Sequence, residues 1–141
     1  MIDQDITKRM TVVLDNKLES WKLLNTVGHI AAFLGNKMDG KFDTGEFFET
    51  KDGVSYPRNS QYPLIALTAS QDELKKFMGQ VRESNMLYVA YIPEMVEYTD
   101  DERLIEKVSQ KEDSEIELLG VGVFGDNDQV KELTKGFKLW R

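Results

Sequence analysis

Four short apolar runs set the frame of this chain: RMTVVLD (9–15), PLIALTA (63–69), LYVAYI (87–92) and IELLGVGVFG (116–125). The first is β-branched and all four are short and apolar, so each reads as a strand. Segments with helical apolar spacing separate them. Strands that alternate with amphipathic helices bury their apolar faces in an α/β layered domain, with mostly parallel pairing expected. A length of 141 residues suits one domain, 1–141, with a sizeable core.

The helices carry start and stop signals. Ser20 is placed as the N-cap of a helix over 20–34, with Leu23, Leu24, Val27, Ile30, Ala31 and Leu34 inward and Gly35-Asn36 as the stop. Ser70 and Glu73 form an S-x-x-E capping box. Leu74, Phe77, Met78 and Val81 follow at i, i+3, i+4 and i+7, the spacing of one helix face. A short acidic helix is expected over 100–109, with Leu104, Ile105 and Val108 inward. A last helix is expected from Asp126 to Lys135, with Gly136 as C′ and Phe137 packing back on it. The stretch 40–62 fits neither period. It predicts a hairpin around Lys51-Asp52-Gly53, with Phe47, Phe48, Tyr56 and Tyr62 lining a pocket or fastening the loop to the body.

Composition excludes several function classes. There is no cysteine, hence no disulfide, no thiolate nucleophile and no sulfur-ligated metal. With one histidine and no D-x-D-x-D-G loop, no metal site is expected. GVGVFG (120–125) does not match G-x-G-x-x-G and lies within a strand, so its glycines read as close packing and no cofactor is expected. No apolar run has the length to cross a bilayer, and MIDQDITKRM lacks the apolar core of a secretion signal. A cytoplasmic location is the simplest expectation. The net charge of −7 is concentrated: residues 94–117 hold ten acidic side chains against three basic ones. Such a segment repels polyphosphate, so transfer RNA is not an expected partner.

The single histidine, His29, sits within the first helix. Lys22, Asn25, Thr26 and His29 stand at i, i+3, i+4 and i+7, one stripe within roughly 10 Å of helix. A cation, an amide, a hydroxyl and an imidazole so placed can bind an anion, polarise a carbonyl or move a proton. The solvent face of an amphipathic helix presents the same pattern. There is no G-x-S-x-G elbow for a serine nucleophile.

The first strand with WKLLNTVGHIAA resembles the opening strand and helix of type II peptidyl-tRNA hydrolases, whose helix typically reads G-K-I-A-A-Q-C-x-H-A. GVGVFGDNDQVKELTKGFKLW is similar to their last strand, helix and terminal strand. The whole chain, with DGVSYP before PLIALTA and LTKGFKLWR at its end, most resembles an uncharacterised bacterial family, domain of unknown function 2000, grouped with that fold.

The resemblance implies a three-layer α/β/α domain with a four-stranded mixed sheet, and a possible homodimer. It sets Lys22 on a lysine implicated in catalysis, Thr26 in place of a glutamine, and His29 on the helix histidine. Gly28 falls where a small residue lets the helix lie close to a strand. The family's D-A-G-x-T turn reads IPEMVEYTDDE here, leaving Glu94 or Glu97 with Thr99 as loose substitutes. These residues predict a pocket near Lys22, Asn25 and His29 for a small anionic or carbonyl-bearing ligand. The alternatives are a divergent hydrolase of peptidyl-tRNA or a related ester or amide, and a non-catalytic dimeric interaction domain.

Overall fold

The computed structural model describes residues 4–39, 41 and 44–141. Strand β1 (Lys8–Asp15) leads into helix α1 (Ser20–Lys37). A small hairpin of β2 (Phe48–Glu49) and β3 (Ser55–Tyr56) follows. Next come β4 (Leu64–Ala69), α2 (Gln71–Glu83) and β5 (Leu87–Tyr91). The connection from β5 to β6 holds α3 (Pro93–Glu97), α4 (Asp101–Ser109) and a 3₁₀ turn (Asp113–Glu115). Strand β6 (Gly120–Asp126), helix α5 (Asn127–Thr134) and β7 (Lys138–Leu139) complete the chain.

The main sheet is mixed and has five strands in the order β5-β6-β1-β4-β7, not the four expected. The fifth, β7, pairs with β4 as its neighbour on the side away from β1. The four apolar runs do share this one sheet. Mostly parallel pairing was expected, but only β1 and β4 run parallel, the pair joined through α1. β6 lies antiparallel to both β1 and β5, and β7 antiparallel to β4. A parallel neighbour needs a crossover, and only the β1-α1-β4 connection supplies one between adjacent strands.

Side chains alternate across β1. Met10, Val12 and Leu14 pack with Ile30 and Leu34 of α1. Val13 packs with Leu74, Phe77, Met78 and Val81 of α2 and Val130 of α5. The expected α2 face is buried at all four positions, and the Ser70–Glu73 capping box is formed. Asp15, buried at the end of β1, accepts from the Gln71 side-chain amide at 2.9 Å, tying the strand to the start of α2.

Glycines in β6 set the distance of α1. A Cβ on Gly122 would collide with Ile30 Cγ2 and stand 3.1 Å from Leu34 Cδ1. One on Gly120 would lie 3.0 Å from Thr26 Cγ2. The GVGVFG glycines therefore serve close packing, as read from the sequence. Gly28 does not: a Cβ there would meet open space.

Several local expectations are corrected. Glu19, not Ser20, is the N-cap of α1, and the helix runs past Gly35 to Lys37 with Met38 as C-cap. Leu24 is 71% exposed and Ile105 66% exposed, because the helices are rotated so that these positions face solvent. Residues 116–119 precede β6 rather than belonging to it; the Leu118 N–H donates to Gln71 Oε1 instead of to a strand. Gly136 does not adopt a left-handed conformation, yet Phe137 packs edge-on against Phe77 at 5.5 Å. The expected hairpin is present, with Gly53 at φ 86° in its turn. Phe48 stacks on Tyr56 at the surface, whereas Tyr62 is buried against Phe124. Gly40, Phe42 and Asp43 of this stretch lie outside the described residues.

Candidate functional site

Helix α1 packs against β5 and β6. Its buried stripe is Thr26, Ile30 and Leu34, flanked by half-buried Leu23, Val27 and Ala31. Thr26 therefore leaves the polar stripe on which its spacing put it. It is fully buried, and its hydroxyl has no hydrogen-bond partner. The methyl half of threonine suits the slot over Gly120, which explains why the position turns inward.

Asn25 and His29 remain exposed on the flank that faces β5. The Tyr91 hydroxyl donates to Asn25 Oδ1 at 2.9 Å. The His29 ring lies 5.0 Å from the Tyr91 ring, tilted by 50°. Tyr91 itself is buried, and burial pushes its phenol above the usual tyrosine value, so it stays a neutral donor. With Oδ1 engaged, the Asn25 amide nitrogen is left as a donor. Neither it nor the His29 imidazole hydrogen-bonds to another described residue.

Beside them is a cleft of about 290 Å³ walled by His29, Phe33, Val89, Tyr91 and Met95. A shallower depression on the other side of His29 is bordered by Leu24, Asn25 and Gly28. The cleft is thus apolar in its walls, with the imidazole at its rim, and the Asn25 amide borders the depression that adjoins it across His29. Such a site holds an apolar body and orients one polar head.

The remaining expected residues are dispersed. Lys22 is half-buried, with Nζ 5.4 Å from the Trp21 ring centre, and borders neither depression. Glu94 is buried and accepts from Lys111 Nζ at 2.6 Å through Oε1, while its Oε2 has no partner. Burial pushes the Glu94 carboxyl up, but the Lys111 hydrogen bond, a backbone hydrogen bond and the Lys111 charge together offset this and hold it below the usual glutamate value. Thr99 is exposed on the loop after α3. Sequence reading missed Tyr91, Val89 and Met95. The alternation within LYVAYI carried the signal for the first two, since residues 89 and 91 share a strand face.

Residues 8–141 match the family described as protein of unknown function, DUF2000. The chain belongs to this family. Its fold is also similar to the solved structure of a protein of unknown function from Agrobacterium tumefaciens strain C58, at 23% identity and a TM-score of 0.81. That match covers 96% of this chain and 98% of the other. No curated protein matches the chain. Among the described residues, no helix is long and apolar enough to cross a membrane.

Proposed function

We propose that this DUF2000 protein binds a small molecule whose apolar body lies in the α1–β5 cleft and whose carbonyl or carboxylate head reaches across His29 to the depression beside Asn25. The observation that carries this reading is the Tyr91–Asn25 hydrogen bond beside His29. It fixes the Asn25 amide so that its nitrogen and the imidazole offer two donors, one helical turn apart, to a single acceptor. The apolar body rests against Phe33, Val89 and Met95. Lys22 adds long-range attraction for an anion rather than a direct contact. Glu94 and Thr99 take no part.

Binding without chemistry is favoured over hydrolysis. Cleavage of an ester or amide here would rest on His29 as the lone base, because Glu94 is committed to Lys111. The arrangement of α1 on one sheet face and α2 with α5 on the other supports the three-layer, hydrolase-like fold implied by the resemblance. The acidic β5–β6 connection argues against transfer RNA, and filter binding at low salt should detect no salt-sensitive complex. The absence of cysteine suits a reducing cytoplasm.

The chain's single histidine makes the test selective. Imidazole ¹H–¹⁵N spectra are recorded during titration with benzoate and with benzamide. Saturable movement of the His29 signals, weakened in Asn25→Ala, is expected. Signals that stay fixed at millimolar ligand would remove the reading.

A second reading has its own observation. Trp21, Leu24 and Phe33 are exposed on α1 at 54%, 71% and 37%. Trp21 and Leu24, one turn apart, form a small apolar surface that supports a non-catalytic dimeric interaction domain, while Phe33 lies on the opposite side of the helix by the cleft. Light scattering decides it: a monomeric mass at high concentration would refute it.

A further inference from the structure

A second cavity, of about 440 Å³, lies on the other side of β5, between α2 and the connection that runs from α4 through the 3₁₀ turn. Met78, Ile92, Val108 and Ile116 are among its apolar walls, and Lys75 and Arg82 of α2 stand at its border. These two cations are seven residues apart, two turns along the same helix face. Both are occupied by the covering segment. Arg82 donates to the two oxygens of Asp113, each at 2.9 Å, and Lys75 Nζ donates to the Ser114 carbonyl at 2.6 Å.

We propose that this cavity is a binding site for an apolar carboxylate, a medium-chain fatty acid in chemical class, whose head replaces Asp113 on Arg82. Three features carry the inference. The walls are apolar, so they suit a hydrocarbon chain. The planar guanidinium already holds a carboxylate by two parallel hydrogen bonds, so its fork is set for a second carboxylate head. The present occupant is replaceable, since Arg82 and Asp113 are 45% and 70% exposed and an ion pair so exposed is weak. Lys75, once released from Ser114, gives the head a second cation. Asp113 then acts as an internal competitor that holds the cover closed when no ligand is present. The site is separate from the α1–β5 cleft, and the two share Ala90 and Met95 as a common wall.

The test is a calorimetric titration of the full chain with octanoate, followed by methionine-methyl NMR. Met78 borders this cavity and not the cleft, so it reports the site, while His29 reports the cleft. Octanoate should move the Met78 methyl signal saturably and leave His29 nearly fixed. Octanol at the same concentration should do so far more weakly. Arg82→Met should weaken octanoate binding about tenfold or more, the loss of a charge-assisted hydrogen bond. Asp113→Asn should strengthen it, because the competing charge is gone. Octanoate that moves only His29, binds Arg82→Met as well as the parent, or binds Asp113→Asn more weakly would overturn the proposal. Thermal melts of both variants confirm that they are folded; both side chains are exposed enough for substitution.

Discussion

The Tyr91 hydroxyl reaches Asn25 Oδ1 at 2.9 Å across 66 residues of sequence, tying an edge strand to the first helix. This bond links fold to site, because it fixes both the amide and the ring against which His29 rests. Tyr91→Phe should cost about 0.5–1.5 kcal/mol by urea unfolding. The variant should also lose less stability at high pH. The raised phenol value means the parent's contribution is present below the ordinary tyrosine value, about 10, and fades as pH rises through the folded one. Equal alkaline loss in both proteins would show that Tyr91 is not the responsible group.

Gly122 tests the seat of α1. Gly122→Ala drives a methyl group into Ile30 and crowds Leu34. A destabilisation of about 1–3 kcal/mol is expected from such overpacking. The same change at Gly28, which faces open space within the helix, should be neutral or stabilising. Thermal melts of the pair that rank the other way would contradict this account.

Leu24 and Val27 are three residues apart on α1 and should respond differently to charge. Leu24→Asp places a carboxylate in water and should change stability by roughly 0.5 kcal/mol or less. Val27 packs on the α1 core cluster, so Val27→Asp should cost several-fold more. Similar melting temperatures for the two variants would mean that the helix is rotated differently.

The buried Glu94 with Lys111 predicts a pH-dependent effect. The carboxyl is held below its usual value, so the pair stabilises above the ordinary glutamate range and the benefit is lost as pH falls through the folded value. Lys111→Met should lower the melting temperature at pH 7, since Glu94 is left charged and unpaired. The gap to the parent should narrow on acidification, as the carboxyl takes up a proton. A gap independent of pH would assign the loss to packing instead.

The site was only half legible in the sequence. Helical spacing placed Lys22, Asn25 and His29 near one another, and the last two do border one depression. Thr26 was misassigned, because spacing gives the angle between residues but not the rotation of the helix on its sheet. That rotation is set by Gly120 and Gly122, nearly 100 residues away, which open slots for Thr26 and Ile30. Tyr91 was missed for a similar reason: LYVAYI announced a strand, but not which helix would meet its odd-numbered face.

The sequence by itself determined the four apolar runs of one sheet, the capping box and buried face of α2, the hairpin at Gly53 and the packing role of the β6 glycines. These follow from local periodicity and backbone preference, which nearby residues fix. Only the tertiary structure decided the strand directions, the addition of β7, the outward turn of Leu24 and Ile105, and the pairing of Glu94 with Lys111. Each of these depends on which distant surfaces meet, and burial energy is settled by that meeting rather than by any local pattern.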